Sequence, residues 1–408
     1  MGESTRWRDG ELTVSAEEAR RLLDAPSLAD VRVSWASPGQ PVRIVKVLDA
    51  VEPRTKGPGG GGIFPGWLEA NGQPLGQGVT HVLRGAAVVV AGYLPRAQEA
   101  VIDMTGPAAE LSPFGSTHNL VIEFTPAPDA DWAEVDDALR RGSLALAARL
   151  AETALDAPAD EEETVPDPEA VEGLPRIAAI TNLQTQGVFK DVFVRGTSFN
   201  GQAPILIDPG EIDDGAVVSG QYGHPSLRNP TWVHQNHPVA NALRARHGVD
   251  LAFGGVVLSP EPVSAADKAR ISTAAADLCA EAGFDAVILT KEGGGNADAD
   301  MALKMDALED MGIATVGLFA EMAGPDGTGP PIVVAPERAT AMVSTGNYDT
   351  RLSLPDMERA LGGDQLALLG LPATSAMELP TAVILAALSP LGWGRLTCSP
   401  SATGMVSG

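Results

Sequence analysis

The sequence predicts an α/β protein, with an N-terminal α+β domain followed by a doubly wound, mostly parallel sheet domain. From residue 176 onwards, apolar segments of strand length alternate with helices of about 15 to 18 residues, which is typical of a parallel sheet covered on both faces. Before residue 157, strand-like segments precede one long helix. The 408 residues are 44% hydrophobic, enough for the cores of two or three domains.

The N-terminal domain is predicted over residues 1–157. Its strands have the alternation, β-branched content or apolar length that strands require. They are predicted at Val31–Trp35, Val42–Val47, Val79–Leu83, Ala86–Ala91 and Leu120–Phe124. A helix follows over Trp132–Leu155, because acidic residues in its first turns suit the helix dipole and Leu and Ala recur on one face.

Residues 158–175 are rich in Pro, Asp and Glu, which predicts an exposed linker before the α/β domain of residues 176–408. The strands of that domain are predicted at Ile177–Ile180, Pro204–Ile207, Ala216–Val218, Leu251–Leu258, Phe284–Leu289, Ile313–Phe319 and Ala341–Val343, and its helices at Ala265–Ala282 and Ala297–Met311. Ligands of such sheets bind at the carboxyl ends of the strands. This rule places Ser259, Lys291, Glu292, Glu321 and Thr345–Asn347 on one rim.

Residues 215–238 interrupt this pattern and form the predicted functional loop. The loop has neither helical nor strand periodicity, and it concentrates hydroxyl, imidazole and amide side chains between two hydrophobic segments. Its polar residues are Ser219, Gln221, His224, Ser226, Asn229, Thr231, His234, Gln235, Asn236 and His237. We therefore expect chemistry here rather than a structural connection.

The same loop, together with motifs along the whole chain, resembles a known family. The motifs occur in one order: Pro41–Arg54, Gly61–Gly66, Gly85–Val89, Ile102–Pro107, Leu183–Gly187, Asn229–Pro238, Asp267–Arg270, Glu292–Asn296 and Thr345–Asn347. They are similar to those of the component B proprotein of the glycine, sarcosine and betaine reductases, a family of pyruvoyl-containing reductase subunits. One departure stands out, because the family has a cysteine at the position of Ser226.

The resemblance implies that the chain cleaves itself between Pro225 and Ser226. A side-chain nucleophile attacks the preceding carbonyl, the ester formed undergoes β-elimination, and hydrolysis of the dehydroalanine leaves a pyruvoyl group. Serine is the usual precursor in unrelated pyruvoyl enzymes, so the departure is chemically permitted. Ser226 is the predicted nucleophile, and His224, Asn229 and His234 are candidates for the base and the oxyanion donors.

The resemblance also implies a substrate and a partner. The pyruvoyl ketone would form a Schiff base with a small amine and withdraw electrons from its α-carbon, and a selenol or thiol on a separate subunit would then displace the amine. We assign Glu292, Asn296 and Asn347 to substrate binding. Cys279 lies on the apolar face of a predicted helix and is expected in the core, whereas Cys398 is the cysteine more open to a redox role.

Composition excludes other partners. A formal charge of −25 would repel nucleic acid and anionic membranes, and no apolar run is long enough to span a bilayer. Two cysteines and no signal-like N-terminus indicate a cytoplasmic protein, which we expect to be oligomeric. His234 and His237 are spaced i and i+3, but without a recognised metal motif no metal is expected.

Two alternatives remain open at this stage. The chain could be an uncleaved homologue that acts as a binding or assembly subunit, with Ser226 merely hydrogen-bonded. It could also be a non-redox enzyme that uses His234 or His237 for general acid/base catalysis.

Overall fold

A computed structural model describes residues 1–57, 62–68, 75–95, 97–185, 191–219 and 225–388. His224 and Cys398, both singled out above, lie outside these ranges. The N-terminal elements are β1 (Arg6–Arg8), β2 (Glu11–Thr13), α1 (Ala16–Leu22), β3 (Leu28–Ala36), β4 (Val42–Val45), β5 (Val47–Val51), β6 (Arg54–Lys56), β7 (Thr80–Val82), β8 (Ala86–Ala91), β9 (Val101–Asp103), α2 (Pro107–Leu111), β10 (His118–Pro126) and α3 (Trp132–Glu152).

The N-terminal half is built on a mixed four-stranded sheet in the order β3-β10-β8-β5, in which only β10 and β8 are parallel. The predicted long helix is confirmed as α3, which begins at an Asp131 N-cap. Its Leu139, Leu146 and Leu150 are buried in one cluster with Val33 of β3 and Val90 of β8. The helix and the sheet therefore share one hydrophobic core.

The second group of elements contains the predicted parallel sheet. It comprises β11 (Arg176–Gln184), β12 (Phe193–Val194), β13 (Thr197–Ser198), β14 (Ile205–Ile207), α4 (Pro209–Asp213), β15 (Val217–Val218), α5 (Thr231–Gln235), α6 (Pro238–Arg244), β16 (Ala252–Glu261), α7 (Ala265–Glu281), β17 (Ala286–Thr290), α8 (Asn296–Asp310), β18 (Ala314–Glu321) and β19 (Ala341–Asn347). The sheet order is β14-β16-β11-β17-β18-β19. All pairs are parallel except the edge strand β14, which runs antiparallel to β16.

The two faces of this sheet are covered differently. Helices α7 and α8 pack on one face, where Cys279 and Met305 are buried with Ile180 and Leu289. The opposite face packs against α6 and the small sheet of β12, β13 and β15, because residues 191–219 return over it. The second helical layer that the sequence suggested is thus largely replaced by β structure.

The last described elements are β20 (Arg351–Leu354), β21 (Arg359–Leu361), β22 (Gln365–Leu366), β23 (Leu371–Pro372) and β24 (Met377–Pro380). Strand β21 pairs in parallel with β4, so this part of the chain returns to the N-terminal half. The stretch between α3 and β11 contains no helix or strand and is largely exposed. The boundaries of the two domains remain a prediction.

Within the described ranges, no helix combines the length and apolar character that crossing a membrane requires.

Candidate active site

The segment from Pro225 to His237 lies between the two halves of the molecule. Pro225–Leu227 forms a single 3₁₀ turn, and α5 and α6 follow it. On one side, the Gly293 backbone N–H, in the loop after β17, donates to the Leu227 carbonyl at 3.3 Å. On the other side, the N–H groups of residues 386 and 388 donate to carbonyls of the turn. The segment is therefore buried and held from both sides.

Ser226 is fully buried, and its two flanking carbonyls are both hydrogen-bonded. The Pro225 oxygen accepts from the Ala386 N–H, and the Ser226 oxygen accepts from the Leu388 N–H, each at 3.0 Å. The Ser226 Oγ, by contrast, has no hydrogen-bond partner among the residues that the structure describes. A buried hydroxyl in that condition is energetically unfavourable and calls for an explanation, of which a catalytic role is one.

Glu292 links this segment to the rim of the parallel sheet. It follows β17, and its carboxylate accepts the Gln184 N–H at 3.0 Å and the Asn229 N–H at 3.2 Å. The His234 Nε2 lies 3.4 Å from the same carboxylate, and both side chains are buried. The predicted site residues Asn229, His234 and Glu292 thus meet in one place.

The two histidines of the segment have different surroundings. His237 is the N-cap of α6, because its Nδ1 accepts the Ala240 N–H at 3.2 Å. Its Nε2 lies 2.7 Å from the Thr181 Oγ1, so the neutral ring carries its proton on Nε2 and donates it to Thr181. Burial, reinforced by nearby His234, lowers the pKa of His237 to about 3. This ring has no lone pair left for a substrate.

Strand β5 of the N-terminal half anchors helix α5. The Thr231 N–H and Oγ1 donate to the two Asp49 carboxylate oxygens at 2.9 and 2.6 Å. Burial raises the pKa of Asp49, and the Thr231 donors oppose that shift. Gln235 Oε1 accepts the Glu52 N–H at 2.9 Å, and the Asn236 amide reaches the Glu52 carboxylate at 3.0 Å. Thr231, Gln235 and the following Asn236 thus attach this segment to the N-terminal half.

A buried charge network lies beneath the rim. The Lys291 ammonium is 2.7 Å from an Asp298 oxygen, and Lys268 pairs with Asp300. The Glu261 carboxylate, at the end of β16, accepts the Glu292 N–H at 3.2 Å. Burial first, and then the nearby carboxylates, raises the pKa of Glu261 well above its usual value. Most of the carboxylates in this network are thus paired with lysines or backbone donors.

Other predicted residues have separate positions. Asn296 is exposed at the start of α8, and the Asn347 amide donates to the Gly324 carbonyl at 2.8 Å and so fixes a neighbouring loop. Their assignment to substrate binding stays a prediction. Cys279 is confirmed as a core residue, and burial raises the pKa of its thiol to about 12. In the described ranges, no group of three or more His, Cys, Asp and Glu side chains could hold a metal ion.

The residues around Ser226 fit the precursor of a pyruvoyl group. The hydroxyl is adjacent to a carbonyl that already accepts a hydrogen bond, and both are shielded from water. Sequence reasoning missed Asp49, Ala386 and Leu388. A charged residue within the apolar run of β5 was a signal for Asp49. The other two contribute only backbone groups, which leave no trace in a sequence.

The chain is similar to known proteins over almost its whole length. Residues 1–379 match the model of the family described as glycine/sarcosine/betaine reductase component B subunits. The chain is 35% identical to the glycine reductase complex component B subunits alpha and beta of Peptoclostridium acidaminophilum, over 97% of this chain and 96% of that protein. It is 36% identical to the protein of that description in Acetoanaerobium sticklandii, with the same coverage. The sarcosine reductase complex component B subunit alpha of P. acidaminophilum is 34% identical over 89% of this chain and 86% of its own length. No solved structure matches significantly.

Proposed function

The chain belongs to the family of glycine/sarcosine/betaine reductase component B subunits, and from that premise we propose that it is the self-cleaving proprotein of such a subunit. The mature protein would act in a complex that reductively breaks the C–N bond of a small amine. The observation that carries the proposal is the Ser226 hydroxyl, buried without a hydrogen-bond partner among the described residues and next to a polarised carbonyl.

The proposed processing uses only the chain and one water. Ser226 Oγ attacks the Pro225 carbonyl carbon, the peptide C–N bond breaks, and the nitrogen takes up the hydroxyl proton. A base then removes the Ser226 Cα proton, the Cβ–Oγ bond breaks, and Pro225 leaves as a carboxylate. Water replaces ammonia on the remaining dehydroalanine, which becomes an N-terminal pyruvoyl group. The two chains would stay associated, because residues on both sides of the break are buried.

We assign the base to His234. It is buried beside Glu292, and this carboxylate also accepts the N–H of Asn229, three residues after Ser226. A carboxylate near an imidazole orients the ring. His237 is already engaged on both ring nitrogens, which favours His234 over His237 in the acid/base alternative.

The serine in place of the family's cysteine makes the first step more demanding. A serine hydroxyl is far less acidic than a thiol, so it depends more on a base and on oxyanion donors. The buried position of Ser226 provides an environment in which such donors act strongly. We expect processing to be slower than with a cysteine at this position.

When formed, the pyruvoyl ketone would supply an electron sink for the substrate's α-carbon. The residues of this chain would bind and orient the amine and exclude water. The Glu292 carboxylate, beside His234, suits a cationic amine. The relatives are named as glycine, sarcosine and betaine reductase components, so we propose a substrate of that class and a partner subunit with a selenol or thiol.

Mass spectrometry under denaturing conditions tests the proposal. We expect two fragments divided between Pro225 and Ser226, the second lighter by one ammonia than a fragment that begins with serine. Ser226→Ala should give one intact chain, and Ser226→Cys should cleave at least as fast as the wild type. Ser272→Ala is the matched control, because Ser272 is another buried serine whose hydroxyl has no partner among the described residues, in α7.

The control variant should be cleaved like the wild type. A single intact wild-type mass in material that turns over substrate would overturn the processing proposal. It would favour an uncleaved subunit that binds or assembles without a pyruvoyl group.

A further inference from the structure

We propose that two backbone N–H groups of one turn, those of Ala386 and Leu388, stabilise the two successive oxyanions of self-processing. The inference rests on the proposed function and assigns groups to its first two steps. We call residues 384–388 the donor turn. Its N–H groups at 386 and 388 donate to the carbonyl oxygens of Pro225 and Ser226, respectively, each at 3.0 Å.

The donor turn is fixed by both halves of the molecule. The Leu385 N–H donates to the Val101 carbonyl at 3.0 Å, and the Leu385 carbonyl accepts the Ser112 hydroxyl at 2.8 Å. The Thr345 hydroxyl lies 3.2 Å from the Leu388 carbonyl. Donors held in this way need no rearrangement when charge develops on their acceptor.

Ala386 has a backbone conformation that favours glycine. Its φ is 56°, in the left-handed region that a residue with a Cβ rarely adopts. The side chain is fully buried with Val233 and Trp232 of α5, so the surrounding packing holds it there. Strain of this kind persists where the neighbouring structure over-determines it, and it concentrates at functional sites.

The first oxyanion develops on the Pro225 oxygen. When Ser226 Oγ adds to the Pro225 carbonyl carbon, the carbonyl π electrons move onto that oxygen. The Ala386 N–H already points at it, and a hydrogen bond to a charged oxygen is stronger than one to a neutral carbonyl. The contact therefore stabilises the transition state more than the starting peptide.

The second oxyanion develops on the Ser226 oxygen. Removal of the Cα proton of residue 226 delocalises charge onto its own carbonyl oxygen, and the charge then expels Pro225 as a carboxylate from Cβ. Leu388 donates to this carbonyl. The two donors are two residues apart and reach two consecutive carbonyls, so one turn serves the acyl shift and the elimination in sequence.

Replacing single backbone amides by esters separates the two roles. An ester at position 386 or 388, introduced with the α-hydroxy analogue of the residue, removes the N–H and keeps the side chain. We expect the 386 ester to slow cleavage about 10²–10³-fold, the usual effect of losing one oxyanion donor, with the unreacted peptide accumulating. The 388 ester should instead accumulate the Pro225–Ser226 ester, which hydroxylamine cleaves at that position.

An ester at 387 is the matched control. The Ala387 N–H donates within the same turn, to the Ile384 carbonyl at 3.3 Å, and contacts neither reacting carbonyl. Its cleavage rate should stay within a few-fold of the wild type. Hydroxylamine also cuts the introduced esters, but fragment masses distinguish those cuts from one at residue 226.

Side-chain variants provide a second test in case an ester variant does not fold. Ala386→Gly keeps the N–H and accepts the positive φ, so cleavage should be preserved. Ala386→Val disfavours that φ and should slow cleavage, with thermal melts separating this effect from unfolding. If the wild type is cleaved and all three esters are cleaved at its rate, the inference fails while the proposed function stands. An uncleaved wild type would overturn both.

Discussion

Two adjacent parts of the buried segment use their polar groups in opposite ways. In α5, the hydroxyl and N–H of Thr231 and the amide of Gln235 are bonded to Asp49 and Glu52 of the N-terminal half. In the turn just before it, the Ser226 hydroxyl has no partner among the described residues. Satisfied buried groups stabilise a fold, whereas an unsatisfied one costs free energy and calls for an explanation, of which a catalytic role is one. We therefore interpret Thr231 and Gln235 of α5 as the anchor, and the turn, together with His234, as the reactive element.

Loss of the reactive hydroxyl should have the largest effect on processing and almost none on stability. In Ser226→Ala we expect no detectable cleavage, because alanine has no nucleophilic oxygen on its Cβ. The free energy of unfolding should change by less than about 1 kcal/mol, because the removed group makes no hydrogen bond to the described residues. Mass spectrometry and denaturant titration of the intact chain measure the two quantities. A loss of several kcal/mol would show that Ser226 is structural.

Removal of the proposed base, His234, should have the second-largest effect on processing. His234→Gln should slow cleavage by about 10²–10⁴-fold, the range for loss of a general base, with a small change in the melting temperature. The readout is the rate at which the intact chain disappears after synthesis, followed over pH. A variant that cleaves at the wild-type rate would remove His234 from the mechanism and leave His224, which lies outside the described ranges, as the next histidine to test.

Removing Asp49, the acceptor that anchors Thr231, should instead have a large effect on stability. Asp49→Ala leaves the buried Thr231 N–H and hydroxyl without their acceptor, which should destabilise the fold by about 2–3 kcal/mol. Asp30→Ala, at an exposed aspartate in β3, is the control and should change stability by less than about 0.5 kcal/mol. Equal effects in urea denaturation would contradict the assignment of Asp49 as an anchor.

The smallest expected effect is the change in folding stability with pH that His237 causes. The pKa of His237 is about 3 in the folded chain and near 6.5 when unfolded, so the unfolded state binds more protons between these values. The stability that the neutral ring contributes is complete above pH 6.5 and is lost as the pH falls towards 3. Between pH 6.5 and 5.5 the loss should be about 1 kcal/mol.

His237→Asn keeps an N-cap acceptor but does not titrate. The difference in unfolding free energy between wild type and this variant isolates the histidine from the buried carboxylates, whose pKa values are raised and which act with the opposite sign. A difference that is constant from pH 7 to 5 would contradict a neutral buried His237.

Much of the fold followed from the sequence, because its determinants are local. Apolar runs and helical spacing predicted the parallel strands, and the position of Glu292 after one of them placed it on the rim. The N-cap role of His237 was also readable, since Pro238 at the first helical position marks a helix start. Sequence reasoning instead assigned His237 to catalysis, a role that stays untested.

The remaining features depend on contacts between distant parts of the chain. Asp49 and Thr231 are 182 residues apart, and no periodicity connects them. The donor turn lies in an Ala- and Leu-rich stretch, and its contribution is two N–H groups that every non-proline residue has. Only the folded chain brings these groups to the carbonyls around Ser226.

Self-processing would change the chemical identity of residue 226 in the mature protein. Reaction of the purified protein with a carbonyl-specific hydrazide, followed by peptide mapping, tests it directly. We expect one label per chain, on the first residue of a fragment that begins at position 226, and none in Ser226→Ala. An unlabelled, continuous peptide that contains Pro225 and an ordinary Ser226 would contradict the account.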